Sequence, residues 1–152
     1  MKTILVLPVL AGLLFACQRV SLDTDNSSIL GVDTKVYLSV DKTRYQNSDL
    51  IQISLRNEEG EPVFLEGCSQ FYLESKADSG WAAQPLIVCV WEGYAVKVAP
   101  AEQFQRSVSA QNLHGTYRVS APAHFGCQSD KPISEADCGR RTVVFSQEFV
   151  VE

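Results

Sequence analysis

The sequence predicts an all-β fold, a sandwich of two packed sheets, and three observations predict it. From Lys35 onward, apolar residues recur at every second position, the pattern of strands with one buried face. Clusters of Asn, Asp, Ser and Gly cut this alternation into many short runs. No stretch of about ten residues carries a helical period.

The runs follow in order. Val36, Leu38 and Val40 alternate with Tyr37, Ser39 and Asp41. Asn47-Ser48-Asp49 turns the chain into Ile51, Ile53 and Leu55, and Asn57-Glu58-Glu59-Gly60 closes that run. Val63 with Leu65, and Phe71 with Leu73, predict two strands on either side of Cys68. Asp78-Ser79-Gly80 is a turn signal, with Trp81 just after it. The continuous apolar run from Leu86 to Trp91 is expected to be a buried strand. Tyr94, Val96 and Val98 alternate again, and Phe104 and Val108 frame a weaker strand interrupted by Arg106. Tyr117, Val119 and Ala121 form another strand, and Val143, Phe145, Phe149 and Val151 are expected to face the core at the end of the chain.

One short motif bears on the kind of sandwich. Leu113-His114-Gly115-Thr116-Tyr117 resembles the tyrosine corner of immunoglobulin-like domains, in which a tyrosine opens a late strand and its hydroxyl bonds back to upstream backbone. Asp41-Lys42-Thr43-Arg44-Tyr45, the Ile51–Asn57 run, the Cys68 and Trp81 region and Gly115-Thr116-Tyr117-Arg118 are similar to small bacterial immunoglobulin-like domains, including those like intracellular proteinase inhibitors. The resemblance implies an immunoglobulin-like β-sandwich over residues 35–152. It also implies a surface-lipoprotein setting, usually without an assigned activity. The Ile51–Leu55 strand holds no cysteine, so the inter-sheet bridge of antibody domains is not expected.

The N-terminus predicts where the domain is delivered. Lys2 precedes a charge-free run from Ile4 to Phe15. That run is shorter than the roughly 20 residues a spanning helix needs, so it reads as a secretory signal occupying residues 1–16. Leu14-Phe15-Ala16-Cys17 resembles the lipobox of bacterial lipoproteins, which implies cleavage before Cys17 and acylation of its thiol and amino group. More than one acyl chain gives stable membrane attachment. Gln18 stands where an inner-membrane retention signal would carry Asp, so the outer membrane is the expected location, on a face the sequence leaves open. Residues 18–28 are polar and aperiodic and Ile29–Asp33 adds apolar character without a pattern, so residues 17–34 read as a tether with an r.m.s. span on the order of 20–25 Å.

With Cys17 set aside, four of the five cysteines remain, Cys68, Cys89, Cys127 and Cys138, an even set in an oxidising compartment. Three pairings are possible. Cys68–Cys89 and Cys127–Cys138 are expected because each closes a short local loop. The rival reading, a structural zinc site, needs cysteines about two to four residues apart, and none are.

Catalytic patterns are missing from the sequence. His114 lies in the corner and reads as an exposed loop residue, His124 has no positioned serine, and Glu58-Glu59 and Glu135 with Asp137 lie in loops. No phosphate-cradling glycine loop occurs, and neither a cofactor nor a metal is expected. A net charge of −5 argues against nucleic acid as a partner. What remains is a lipid-anchored, non-enzymatic module of the envelope, structural or binding a protein or glycan. The alternative is an inhibitor of a secreted or envelope protease. The long segment Ala121–Arg141 is the expected binding loop, anchored by Phe125, Arg140 and Arg141, or else a loop stapled only for stability. A competing surface lies on the Cys68–Cys89 side, where Trp81 and Trp91 would be exposed.

Overall fold

The computed structural model describes residues 34–128 and 130–152. The expected signal peptide, the expected acylation site Cys17 and the expected tether up to residue 33 lie outside the described residues. The strands, in chain order, are β1 (Val36–Val40), β2 (Arg44–Tyr45), β3 (Leu50–Asn57), β4 (Val63–Leu65), β5 (Tyr72–Ala77), β6 (Gly80–Pro85), β7 (Val96–Val98), β8 (Gln103–Ser109), β9 (Gly115–Phe125), β10 (Arg140–Phe145) and β11 (Phe149–Val151). One 3-10 turn, Ile133–Glu135, precedes β10.

Two sheets face each other, as the alternating pattern predicts. The smaller has the order β1-β3-β8 and is antiparallel throughout. It buries Val36, Leu38 and Val40 from β1 and Ile51, Ile53 and Leu55 from β3, while Tyr37, Gln52 and Arg56 stay outside. The larger sheet is organised around β9. One edge of β9 pairs with β11 and then β10, and the other pairs with β5 and then β4. Tyr117, Val119, Ala121, Ala123 and Phe125 point inward from β9, and the two alanines leave room for the facing aliphatic side chains.

Aromatic rings close one end of the core. The Phe149 ring lies edge-on to Tyr45 with centroids 5.4 Å apart, and stacks with Tyr117 at 6.0 Å. Both tyrosine hydroxyls are used. Tyr117 donates to the His114 carbonyl at 3.0 Å and accepts from the His114 N–H at 3.2 Å, which is the expected corner. Tyr45 donates to Asp41 Oδ1 at 2.8 Å and accepts from the Lys42 N–H at 2.9 Å. Gly115, at φ 111°, makes the corner's tight bend.

Two expectations fail, each for a local reason. Val143 and Phe145 are on the outer face, and Val144 is the buried residue of β10. The register against β9 slips by one residue between Phe145↔Ser120 and Phe149↔Tyr117, so a bulge at residues 146–148 reverses which side faces the core. Ser146 makes the bulge tolerable, because its hydroxyl accepts the Val119 N–H at 2.9 Å. Second, residues 86–91 are not a strand. Leu86 still packs on the core and donates its N–H to the Phe71 carbonyl at 3.2 Å, but Val88 is 89% exposed. An unbroken apolar run has no period to assign it a face. Here it leaves the sheet after Pro85 and returns as a loop tied to Cys68. Tyr94, expected to alternate with Val96 and Val98, is exposed as well.

Replacing Tyr117 by Phe keeps the ring against Phe149 and removes both bonds to His114. A loss of about 1–3 kcal/mol is expected in denaturant unfolding, and an unchanged midpoint would exclude the corner as a stabilising contact.

Candidate functional site

The outer face of the larger sheet is not uniformly solvated. On β9, Ser120 and His124 are buried although they point away from the core, and on β4 Val63, Phe64 and Leu65 are all buried. Something therefore covers this end of the sheet. The cover arises where β9 loses one partner: β4 leaves it at Leu65 and β5 joins it only at Tyr72, with Pro122 opposite the gap. A proline is tolerated there because no partner strand on that edge asks for its missing N–H.

The intervening residues 66–71 swing outward and meet the returning segment 86–95. A Cβ on Gly67 would collide with the backbone of Gly93 and Tyr94, so the two chain segments touch through glycine. The Cys68–Cys89 disulfide ties the same pair. A second staple, Cys127–Cys138, closes residues 126–139, and the Gly139 N–H donates to the Phe125 carbonyl at 2.9 Å. Both disulfides are the expected ones. The two stapled segments join through the Ala95 N–H on the Lys131 carbonyl (3.0 Å) and the Ser134 N–H on Glu92 Oε1 (3.0 Å).

Between them lies an open cavity of about 490 Å³. Its floor is Tyr72 of β5, His124 of β9, Arg141 of β10 and Glu66 just past β4. Its walls are Ile87, Val88 and Trp91 on one side and Ile133 and Ser134 on the other. His124 lies directly across from Phe64 and from Arg141 in the strand registers. Trp91, 58% exposed, stands with its ring perpendicular to Tyr94 at 5.3 Å.

The polar groups on the floor differ in how well they are satisfied. The Tyr72 hydroxyl donates to Glu66 Oε2 at 2.6 Å, and burial followed by that carboxylate pushes its pKa up to about 12. His124 is only 6% exposed and its Nε2 has no partner among the described residues. Burial, and then the nearby Arg141 charge, hold the imidazole below its ordinary 6.5, with Glu66 opposing. Arg141 is exposed and has no carboxylate within ion-pair distance among the described residues. A cavity with apolar walls and a few convergent donors and acceptors is the form ligand sites take.

The anticipated binding residues separate. Phe125 is 1% exposed at the end of β9 and is part of the core, so it cannot be an interface anchor. Arg140 lies 3.7 Å over that ring and pairs with Glu61 at 3.4 Å and Glu59 at 3.7 Å, which makes it part of the same packing. The connection itself is residues 126–139, because β9 runs to Phe125 and β10 begins at Arg140. Of the three, Arg141 alone reaches the cavity. The two tryptophans also part company. Trp91 lines the cavity, whereas Trp81 of β6 stacks on the Arg118 guanidinium at 4.3 Å, which Phe145 covers at 4.2 Å and Glu74 binds at 2.7 Å. His114 sits in the corner, its Nε2 3.2 Å from Asn47 Nδ2. Tyr72, Glu66 and His124 were not anticipated as a group. The available signal was Ala121-Pro122-Ala123-His124-Phe125, too apolar a run for a strand with one wet face.

Two sheets, the tyrosine corner and a cavity walled by stapled loops define an immunoglobulin-like sandwich carrying a candidate binding site. The chain belongs to the bacterial Ig-like domain family, whose pattern matches residues 32–134. Domains of this class are structural or binding modules and are typically non-catalytic. No curated protein matches the chain. Among solved structures it is similar to the Pseudomonas fluorescens alkylpurine DNA glycosylase AlkC bound to DNA containing an abasic site analog, at 14% identity and a TM-score of 0.39, over 80% of this chain and 32% of that one. It is also similar to a Listeria innocua β-glucosidase in complex with gluconolactone, at 12% identity and a TM-score of 0.31, over 77% of this chain and 16% of that one. The chain thus spans a third or less of either protein, and similarity at this level carries nothing about activity.

The depressed pKa of His124 gives stability a signed pH dependence. As pH falls through 6.5 the unfolded histidine takes up a proton and the folded one does not, so stability is lost until the folded pKa is passed. The carboxyls of Asp49 and Glu59, held below their ordinary values by the Gln46 and Lys35 N–H groups, act only in more acid solution. Unfolding free energy should therefore decline from about pH 7.5 to about pH 5.5, and His124→Leu should flatten that decline. Parallel slopes for the two proteins would show that His124 is not buried neutral.

Proposed function

We propose that this chain is a lipid-anchored ligand-binding module of the bacterial envelope, held through Cys17 with its Ig-like domain carried on a tether, and that it binds at the cavity over Tyr72, His124 and Arg141. The observation that carries the reading is the open cavity of about 490 Å³ whose floor holds a buried histidine with no partner for its Nε2 among the described residues. A buried polar group without a partner costs about 1–3 kcal/mol, and a ligand that pairs with it recovers that loss. The two disulfides support the same reading, since walls ordered before binding reduce the entropy lost on association.

A second reading, protease inhibition, draws on one observation. The segment from Ile87 to Trp91 is exposed, apolar and tied at Cys89, as a segment entering a protease cleft would be. Inhibition of any member of a panel of secreted proteases, lost in Val88→Asp and Val90→Asp, would favour it over the cavity.

Two measurements check the main reading. Mass spectrometry of the envelope-derived protein should find an acylated Cys17 as first residue, and an unmodified chain with another N-terminus would remove the anchor. In pull-downs from envelope extract, Trp91→Ala and Arg141→Ala should lose what the wild type retains, while Tyr37→Ala on the opposite sheet keeps it. Retention by all three variants would exclude the cavity.

A further inference from the structure

We propose that the cavity is a site for a neutral saccharide, one sugar ring stacked on Trp91 and its hydroxyls shared among Arg141, Glu66 and His124. The inference rests on the binding role given to this cavity above and adds the chemistry of what enters it.

The first argument is charge. The cavity holds one cation, Arg141, and two carboxylates, Glu66 and Glu92. An anionic ligand seated on Arg141 would face Glu66, and a cationic one seated on Glu66 would face Arg141. A neutral ligand avoids both conflicts. The second argument is the kind of hydrogen bonding on offer. Arg141 can only donate, Glu66 can only accept, and a neutral imidazole nitrogen does one or the other. Glu66 Oε2 accepts from Tyr72, and Oε1 has no hydrogen bond among the described residues. A hydroxyl both donates and accepts, so adjacent hydroxyls on one ring can satisfy this mixed set, which a carboxylate, an ammonium group or an aliphatic chain cannot.

The third argument is the wall. Trp91 offers a broad, exposed indole face and is steadied by the perpendicular Tyr94 ring. The C–H face of a pyranose ring is the flat, apolar surface that matches it, while the hydroxyl edge points toward the polar floor. The volume, about 490 Å³, lies in the range that encloses ligands of drug size and suits a disaccharide. An extended peptide is the less favoured guest. It would need a free strand edge for backbone bonding, and the gap in the pairing of β9 falls at Pro122, which has no N–H to offer.

The test uses the full chain, purified in detergent, with chitotriose, maltotriose and cellotriose as neutral probes. A galacturonic acid trimer and the peptide Ala-Ala-Ala serve as charged and peptide comparisons. Saturation-transfer NMR reads binding, and protection of tryptophan fluorescence from quenching locates it. At least one neutral saccharide is expected to bind at millimolar concentration. Trp91→Ala and Arg141→Ala should each weaken it about tenfold or more with an unchanged melting temperature. The inference is overturned if no neutral saccharide binds, if only the acidic trimer or the peptide does, or if Trp91→Ala binds like wild type. Failure of all three sugars while Trp91→Ala still loses its envelope ligand in the pull-down would sink the saccharide alone. Insensitivity of both assays to Trp91→Ala and Arg141→Ala would sink the cavity as well.

Discussion

Strand β9 is the constraint from which the rest of the molecule follows. It has partners on both edges, β10 and β11 along one and β4 and β5 along the other, and its inward side chains supply the layer on which the smaller sheet rests. Its two ends do different things. At Gly115–Tyr117 it turns the corner and stacks on Phe149, and at His124–Phe125 it runs under the stapled loops. A strand buried on both faces reads as an almost unbroken apolar run, and the C-terminal half of β9 has that composition. A polar residue in such a place stands out for that reason.

Joining the sheets requires that the last segment change sides, and the bulge at residues 146–148 accomplishes this with two side chains. Ser146 supplies the acceptor that the Val119 N–H would otherwise lack. Gln147 reaches across to β1, donating Nε2 to the Val40 carbonyl at 2.7 Å and accepting the Val40 N–H at 3.4 Å. A glutamine amide there takes the place of a neighbouring strand and holds the edge of the smaller sheet to the larger one. Bulges commonly reorient a strand in this way. Without it, Val143, Phe145 and Phe149 would share one face, so either Val143 and Phe145 would have to face the core or Phe149 would be turned out of the aromatic cluster.

How much of this was legible depends on whether a run had a period. Where residues alternated without interruption, as in Val36-Leu38-Val40 and Ile51-Ile53-Leu55, the face toward the core followed directly, whereas at Val143 and Phe145 the bulge that follows reversed it. The corner was legible because Gly115 and Tyr117 have few other reasons to occur together before a strand. The disulfides followed from chain closure over short distances. The run from Leu86 to Trp91 misled, since apolar character without alternation does not tell a buried strand from an exposed loop. Phe125 and Arg140 misled in a related way: aromatic and arginine residues mark interfaces, yet here the arginine packs on the phenylalanine to finish a strand end. The cavity floor draws Glu66, Tyr72, His124 and Arg141 from four places in the chain, and no local spacing links them.

The cavity is also where the molecule departs from what stability alone would select. His124 gives up hydration with no partner for its Nε2 among the described residues, and the apolar side chains of Ile87, Val88 and Trp91 stand in solvent. Each feature works against folding, yet they are adjacent and held in place by both disulfides. Staples of this loop size contribute roughly 3 kcal/mol apiece on chain-entropy arguments, enough to offset such losses. Disulfides placed only to strengthen the sandwich would be expected to cross between sheets. Both of these instead fasten loops on the outside of one sheet, around the same cavity. Local choices that conflict with stability and gather at one place are the pattern expected of a binding site, and both staples sit beside the cavity, not in the sandwich behind it.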